Sequence, residues 1–174
     1  MTRFFSELLD QHDRSAFTSG NDRIDMYFRR IVSQDIKREY AACYVLVERA
    51  TRRIAGFYTL SAHAIPLTDV PADVAKKLPR YPSVSAVLIG WLGRSVEHRG
   101  QQVGTLLLAD AIHRLAHSGV GAHALCADAI DDDAAAFYRK HQFKPLVSRG
   151  HSYFLPMKTA MALFSDAAAD WDAP

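Results

Sequence analysis

The chain has 174 residues, of which 49% are hydrophobic and 23% are charged. These values predict one globular domain with a sizeable core at 1–164, followed by a short acidic, flexible tail at 165–174. The longest apolar runs are too short to cross a bilayer, which excludes a membrane span and favours a cytoplasmic protein. The net charge of +2 is unevenly spread, since basic residues crowd the segment 29–53.

The first predicted elements are a helix and a hairpin. Apolar residues recur at helical spacing between residues 19 and 40, and the opposite face of that helix is basic. Two strand-like runs, 42–48 and 54–62, are joined by a polar turn and predict an antiparallel pair. A short helix is expected at 71–78, where a proline suits the first turn.

The second half of the chain predicts a crossover unit built around a long apolar strand. Residues 83–96 are nearly all apolar, as in a central strand buried on both faces. A loop at 97–104 leads into an amphipathic helix that ends at "SGVG". The remaining predicted elements are a strand at 122–129, a helix at 131–141 and two short strands at 144–148 and 153–158. This order indicates a mixed α/β domain with a right-handed strand–helix–strand connection.

The loop at 97–104 has the composition of an anion site. A loop that joins a strand to a helix presents unpaired backbone N–H groups and the positive end of the helix dipole. Gly100 and Gly104 allow a ligand to approach the backbone, and Arg99 can add a charge. The loop lacks the G-x-G-x-x-G spacing of dinucleotide sites and the G-K-[ST] of nucleoside triphosphate sites. Taken alone, it is explained equally well by a turn that binds nothing.

Residues 99–104, "RGQQVG", resemble the Q/R-x-x-G-x-G/A loop with which the Gcn5-related N-acetyltransferase (GNAT) family binds the pyrophosphate of acetyl-CoA. Gln102 departs from that motif, which has its first glycine there, and Gln142 replaces a second glycine usual in the family. Residues 134–143, "AAAFYRKHQF", match the A-x-x-F-Y stretch of the family. Over roughly residues 5–158 the chain resembles the toxin branch, acetyltransferases encoded beside a small ribbon-helix-helix antitoxin.

The resemblance implies the GNAT fold, an α/β (α+β) domain in which about four helices flank a central mixed, mostly antiparallel twisted sheet of about six to seven strands. It also implies acetyl-CoA as co-substrate, with the backbone of 94–96 bonded to the pantetheine arm and the amides of 99–105 holding the pyrophosphate. The residues it assigns to acetyl-CoA are Arg94, Ser95, Val96, Arg99, Gly100, Gln101, Gln102, Val103, Gly104, Thr105, Asp131 and Phe137. Gln102 and Gln142 would each cost about 1 kcal/mol if their positions require a positive φ.

Tyr138 takes the position of the family's tyrosine near the thioester sulfur, and the resemblance makes it the catalytic residue. From its pattern alone it is also explained as a core tyrosine on an apolar helix face. A phenol with a pKa near 10 is a weaker acid than a thiol near 8.5, so donation to the thiolate is uphill by about 2 kcal/mol and needs help. No other residue presents itself as a general base, which favours an α-amine acceptor over a lysine.

The toxins resembled here acetylate the α-amine of aminoacyl-tRNA and block translation until an antitoxin neutralises them. The resemblance therefore implies an antitoxin partner and DNA contact only through that partner. A homodimer is also compatible with it. Candidate tRNA-binding residues are Arg29, Arg30, Lys37, Arg38, Lys76, Lys77, Arg80 and Arg94, each of which is also explained as a solvated surface charge. One alternative function is acetylation of protein N-termini or small amines. Another is a non-catalytic module that binds acyl-CoA or an antitoxin.

Three other features of the sequence are expected to have no chemical role. His113 and His117 are four residues apart but lack a clear third ligand, so no metal site is predicted. The run 131–133 is expected to cap the helix that carries Tyr138 rather than to bind an ion. Cys43 and Cys126 lie in apolar runs and are expected to be buried, reduced thiols.

Overall fold

The computed structural model describes residues 2–165, which contain one mixed β-sheet. Its strands are β1 (Phe4–Leu8), β2 (Ala42–Glu48), β3 (Ile54–Pro66), β4 (Ser83–Arg94), β5 (Ala124–Asp128), β6 (Lys144–Pro145) and β7 (Ser152–Pro156). They lie in the order β1-β2-β3-β4-β5-β7-β6. Only β4 and β5 are parallel, and every other neighbouring pair is antiparallel. The mixed, mostly antiparallel sheet implied by the resemblance is confirmed.

The helices of the described residues lie on both faces of this sheet. They are α1 (Asp22–Met26), α2 (Val32–Lys37), α3 (Ala72–Ala75), α4 (Val103–His117), α5 (Asp132–Lys140) and α6 (Met157–Phe164). A π-helical turn at Tyr27–Ile31 joins α1 to α2, so the predicted first helix is one continuous run with a local irregularity. Neither β1 nor α6 was predicted. The predicted acidic tail lies outside the described residues, apart from Ser165.

The side-chain alternation of the strands divides the core between the two faces. Helices α4, α5 and α6 cover one face, where Leu107, Leu108 and Tyr138 join a single cluster with Tyr58 of β3. Helices α1 and α2 cover one end of the other face through aromatic residues such as Phe28, whose ring stacks on that of Phe57. Helix α3 covers the opposite end of this second face, so the middle of β3, β4 and β5 lies between two groups of helices.

A buried carboxylate attaches the edge strand β1 to the rest of the domain. Asp110 of α4 is 1% exposed and accepts hydrogen bonds from the hydroxyls of Ser6 and Tyr58. Arg114, one turn further along α4, donates to the same carboxylate at 3.0 Å and packs over the ring of Tyr44. The network connects β1, β2, β3 and α4, which explains how a strand of only five residues is held at the sheet edge.

No helix within residues 2–165 combines the length and the apolarity needed to cross a bilayer.

Candidate active site

The parallel pairing of β4 with β5 ends half-way along β4. Ala86–Ile89 of β4 pairs with Ala124–Ala127 of β5, whereas the rest of β4 continues to Arg94 paired with β3. The divergence opens a gap of about 230 Å³ between the two strands. Its walls are formed by Arg23 and Ile24 of α1, Gly90–Leu92 of β4, Asp128 with the two residues after it, and Ala134 and Tyr138 of α5. The gap is large enough for the reacting ends of two small groups.

A β-bulge in β4 lies where the gap begins. The register between β3 and β4 shifts by one residue, so that Gly90 and Trp91 together lie opposite Thr59. The backbone N–H of Trp91 donates to the Thr59 hydroxyl at 3.0 Å. Bulges bend a strand and interrupt its ladder, so this one accounts for the departure of β4 from β5. The ring of Trp91 stacks on Tyr27 of the π-helical turn, with 4.2 Å between ring centroids.

At the end of β4, two backbone N–H groups make tertiary hydrogen bonds. The N–H of Ser95 donates to the carbonyl of Ala55 at 2.8 Å, and that of Val96 donates to the carbonyl of Thr18 at 2.9 Å. Both amides are therefore occupied within the protein. The resemblance assigns the backbone of 94–96 to the arm, and at Ser95 and Val96 the N–H groups already have tertiary partners that cannot be seen in the local sequence.

The backbone groups of β4 that are not bonded to β3 belong to the residues that alternate with Ser95 along the strand. Because the Ser95 amide points to β3, the backbone groups of Leu92 and Arg94 point away from β3, towards the gap. Past Ile89 they have no partner in β5. Arg94 therefore remains a candidate for the predicted backbone contact with the pantetheine arm. Leu92 is a further candidate, which the motif alone did not indicate.

The loop after β4 leaves the start of α4 open. Among residues 2–165, no side chain caps this helix, so the N–H groups of Val103–Thr105 face outward from its first turn. Gly100 has a φ of +77° and open space around its Cα, while Arg99 is exposed beside it. The side chain of Gln101 folds back and donates to the carbonyl of Glu97. The loop therefore has the geometry of an anion site, as predicted.

The side chains or Cα positions of two predicted cofactor residues also have a packing role, which leaves their backbone N–H groups available. A Cβ on Gly104 would lie 3.1 Å from the ring of Phe137, so this glycine gives room to a side chain of α5 rather than to a ligand. The Thr105 hydroxyl is bonded to Nε2 of His141 at 3.1 Å, and Nδ1 of that ring is bonded to the Phe137 carbonyl. These contacts fix the start of α4 against the end of α5, and only the Thr105 backbone amide is left for a ligand.

Both departures from the family's glycines fall at positions with a left-handed backbone. Gln102 has a φ of +57° and Gln142 a φ of +66°. Each glutamine therefore carries the strain of about 1 kcal/mol that the sequence predicted for a positive φ. The side chain of Gln102 is exposed and accepts no capping hydrogen bond from the N–H groups of α4, so it does not close the helix start. The backbone conformation of the loop is that of the glycine motif, although the glycine is missing.

Tyr138 is a buried residue that lines the gap. Its ring is 4% exposed and packs against Phe143 and Tyr153, with centroids 5.1 and 6.4 Å away. Burial raises the pKa of Tyr138 well above that of free tyrosine, and the negative charge of Asp128 raises it further. Tyr138 is therefore fully protonated at neutral pH and can act as an acid.

Asp131 caps the helix that carries Tyr138. Its carboxylate accepts a hydrogen bond from the Ala134 N–H at 2.8 Å, and Asp132 and Asp133 follow in the first turn. This confirms the capping role predicted for the run 131–133. The role that the resemblance gave to Asp131 in binding acetyl-CoA is not supported by its contacts, because the carboxylate is bonded to the helix.

The acetyltransferase (GNAT) family model matches residues 6–143 of this chain, across the sheet, the loop and the Tyr138 helix. The chain belongs to the GNAT family. It is 29% identical over 163 residues to a protein named probable toxin TacT from Sinorhizobium fredii (strain NBRC 101917 / NGR234), covering 88% of this chain and 90% of that one. It is 30% identical over 159 residues to a tRNA-acetylating toxin from Mycobacterium tuberculosis (strain ATCC 25618 / H37Rv), covering 90% and 93%.

Solved structures of GNAT toxins share the fold over nearly the whole chain. AtaT complexed with acetyl-methionyl-tRNAfMet superposes with a TM-score of 0.83 at 25% identity, covering 92% of this chain and 99% of AtaT. AtaTR bound with AcCoA superposes with a TM-score of 0.79 at 26% identity, covering 94% and 99%. Those structures contain the acetyl donor or an acetylated aminoacyl-tRNA.

Six of the eight basic residues proposed for tRNA lie in two groups on this GNAT domain; the other two are Arg29 and Arg94, which is partly buried at the end of β4. The first group is exposed on the π-helical turn, on α2 and directly after α2, and comprises Arg30, Lys37 and Arg38. The second group is exposed directly after α3 and comprises Lys76, Lys77 and Arg80. These helices cover opposite ends of one sheet face. Arg29 differs, because its guanidinium is bonded to the Phe17 carbonyl and lies 3.9 Å from Asp25. Its first role is to hold the segment before α1.

Sequence reasoning about this GNAT site missed Asp128 and Trp91. Asp128 is the first acid after the buried run of β5, and Trp91 is the one indole within β4. Both types of residue are common at the ends or irregularities of strands, so neither carried a signal by itself. Their importance follows from the gap, which the sequence did not predict.

The remaining candidates on this GNAT domain take no part in the gap. Cys43 and Cys126 are buried, free thiols, as predicted, and burial raises the pKa of each to about 12. His117 Nδ1 is bonded to the His113 carbonyl within α4. Within residues 2–165, no three histidine, cysteine or acidic side chains are grouped as metal ligands would be.

Proposed function

We propose that this GNAT protein is a toxin that transfers the acetyl group of acetyl-CoA to the α-amine of an aminoacyl-tRNA and so blocks translation. The observation that carries the proposal is the gap between β4 and β5, which is lined by Tyr138 and by residues 90–92 of β4, beyond the pairing of β4 with β5. Relatives named toxins, one of them tRNA-acetylating, support the same reading over nearly the whole chain.

The residues present fit acetyl-CoA. The open first turn of α4 suits the pyrophosphate, because backbone N–H groups and the helix dipole both favour an anion there. The outward backbone groups of Leu92 and Arg94 suit the amides of the pantetheine arm, which can continue the sheet as an extra strand does. Bound in this way, acetyl-CoA supplies an activated acetyl group at the gap.

Tyr138 supplies the proton that the leaving thiolate needs. Because its pKa is raised, the phenol gives up its proton only as negative charge develops on sulfur, and not before. The uphill donation predicted from the sequence is thus made harder by burial. It must be coupled to loss of a proton from the attacking amine, which becomes strongly acidic once it is bonded to carbon.

The acceptor reaches the gap across the sheet face that lies between α1–α2 and α3. Ser61 and His63 of β3 and Gly90 of β4 are only half-buried there, so this strip is left partly open by the helices of residues 2–165. Exposed cations stand on both sides of it, as a polyanion requires. We assign Arg30, Lys37, Arg38, Lys76, Lys77 and Arg80 to phosphates of the tRNA. Recognition then depends on the backbone, the terminal adenosine and the amino acid rather than on base sequence.

A small ribbon-helix-helix antitoxin completes the proposed system. It would cover the gap or the basic groups beside it, and any contact with DNA would be made by the antitoxin rather than by this chain. The proposed site of action is the cytoplasm, where aminoacyl-tRNA and acetyl-CoA are both present.

An acceptor competition tests the proposal. The purified protein is incubated with acetyl-CoA and a mixture of aminoacyl-tRNA, peptides and polyamines, and the tRNA is digested for mass spectrometry. The proposal predicts N-acetyl-aminoacyl-adenosine as the main product. Acetylation of peptides or polyamines without this product would contradict it and favour the alternative acceptors.

A further inference from the structure

Asp128 is an acidic side chain in the gap that the mechanism above does not use. It is the last residue of β5, at the point where β4 has already diverged, and it lines the same opening as Tyr138. Its side chain is exposed to that opening, and its charge is close enough to raise the pKa of Tyr138. A carboxylate in this place is within reach of whatever attacks the thioester.

One oxygen of the Asp128 carboxylate accepts a hydrogen bond within the protein, and the other makes none with residues 2–165. Ser152 of β7, directly opposite in the strand pairing, donates its hydroxyl to Oδ1 of Asp128 at 2.6 Å. Ser152 is itself buried, so this bond fixes the orientation of the acid. Throughout residues 2–165, no lysine or arginine lies within 4.0 Å of it. Its other oxygen has room for a cation that the protein does not supply.

The neighbouring elements bring few competing charges to Asp128. The titratable or charged groups that share its two adjoining cavities are Arg23 of α1, His63 of β3, Asp69, Cys126 of β5, Tyr138 of α5, Arg149 and Tyr153 of β7. Arg23 and Arg149 lie on either side and make no ion pair with it. A substrate ammonium group entering between them would find a carboxylate already oriented and without a partner.

We propose that Asp128 binds the α-ammonium group of the acceptor and takes a proton from its nitrogen as the new amide forms. The inference rests on the proposed function, since it names the feature of the aminoacyl group that the gap recognises. It also assigns the missing proton acceptor, for which the sequence offered no candidate.

The step transfers one acetyl group from sulfur to nitrogen and releases one proton. The ammonium first loses one proton to solvent, and the neutral amine attacks the thioester carbonyl carbon, forming the C–N bond. The nitrogen, now positively charged, passes its second proton to the carboxylate of Asp128. The C–S bond breaks, its electron pair stays on sulfur, and the thiolate takes the Tyr138 proton. Water then carries the proton from Asp128 to the tyrosinate, so CoA leaves as a thiol and one proton is released overall.

The variant Asp128→Asn keeps the shape of the side chain and the bond from Ser152 while removing the charge. We expect kcat/KM for the preferred aminoacyl-tRNA to fall by about 100-fold at pH 7, the lower end of what a general base contributes. The defect should shrink as pH rises to 8.5, because hydroxide can replace the lost proton acceptor. The matched control is Asp133→Asn, an exposed acid of α5 outside the gap, which should retain wild-type kinetics.

A second measurement separates recognition of the ammonium from a general loss of structure. The same tRNA carrying the corresponding 2-hydroxy acid lacks the ammonium group and serves as a competitive inhibitor. Wild-type protein should bind it about 10-fold more weakly than aminoacyl-tRNA, as expected when one charge-assisted hydrogen bond is lost. Asp128→Asn should bind both with equal affinity, and acetyl-CoA binding should be unchanged.

The outcomes distinguish this inference from the proposed function. If wild-type protein acetylates no aminoacyl-tRNA, the proposed function fails first. If it does so and Asp128→Asn keeps wild-type kcat/KM, or shows a defect that is constant with pH and no change in discrimination, Asp128 is not the group that receives the amine.

Discussion

Two pairs of aspartate and tyrosine in this protein have opposite roles. Asp110 and Tyr58 are bonded to each other under α4, and Arg114 neutralises the acid at 3.0 Å. Asp128 and Tyr138 share the gap between β4 and β5, where the acid makes no ion pair with any lysine or arginine of residues 2–165. In both pairs burial and the neighbouring carboxylate raise the pKa of the phenol. The chemistry of the side chains is thus the same, and the surroundings decide what each pair does.

The difference teaches what makes a site out of ordinary residues. In the Asp110 pair, three donors including the cation Arg114 are directed at Oδ2 of the buried acid, so the pair holds elements together. The Asp128 pair is left incomplete by the divergence of two strands, so it can accept a substrate. Removing a residue from the first pair should therefore change stability, and removing one from the second should change catalysis.

The largest expected effect is on catalysis, from Tyr138→Phe. The substitution removes the proton donor but keeps the packed ring, so kcat should fall by at least about 100-fold. Calorimetric titration should give an acetyl-CoA affinity within about twofold of wild type, because the pyrophosphate and pantetheine contacts are elsewhere. A variant that turns over normally would remove Tyr138 from the mechanism.

The next effect is on stability, from Asp110→Asn. This change leaves Arg114 without its charge partner and should lower the free energy of unfolding by about 3 kcal/mol, the lower end for a broken buried pair because Arg114 is partly exposed. Asp128→Asn should lie within about 0.5 kcal/mol of wild type, as for other exposed positions. Chemical denaturation of both variants checks this. Equal losses in the two would end the distinction between the pairs.

A smaller, stabilising effect is expected where glutamine replaces the family's glycine. Gln102→Gly should raise the free energy of unfolding by about 1 kcal/mol, because it relieves a φ of +57°. Gln101→Gly is the matched control, since Gln101 has no positive φ and should gain no stability. If both variants shift by the same amount, the strain at Gln102 is not the cause.

The smallest effect concerns the two cysteines. With their pKa values raised to about 12 by burial, the thiols of Cys43 and Cys126 should react with a thiol reagent at pH 8 only after unfolding. Alkylation followed by mass spectrometry of the native protein should therefore show no adduct. Rapid labelling of either cysteine in folded protein would show that its strand opens.

Much of the fold could be predicted because the pattern of each element is local. The long apolar run of β4 and the helical stripe of α4 are visible in the sequence. β1 was missed because its adjacent phenylalanines break the alternation, and its place depends on pairing with β2 and on the bond from Ser6 to Asp110. α6 was missed because it begins directly at Pro156, without a capping side chain, and reads as the end of a strand.

The candidate site was predicted less completely than the fold. The resemblance indicated Tyr138, the loop and the positions that need a positive φ, since those depend on short motifs. The occupied amides of Ser95 and Val96, and the free groups of Leu92 and Arg94, depend on which strand lies beside β4 and where a bulge falls. Such tertiary facts have no local signal, and the same is true of Asp128.

A single-turnover assay of labelled acetyl transfer to charged tRNA tests the central claim most directly. It compares wild-type protein with Tyr138→Phe and Tyr58→Phe, two variants that each remove one buried hydroxyl near an aspartate. The account predicts that label reaches the aminoacyl nitrogen with wild type and with Tyr58→Phe, and that Tyr138→Phe transfers it at least about 100-fold more slowly. Equal rates in the two variants, or label that never appears on the aminoacyl group, would contradict it.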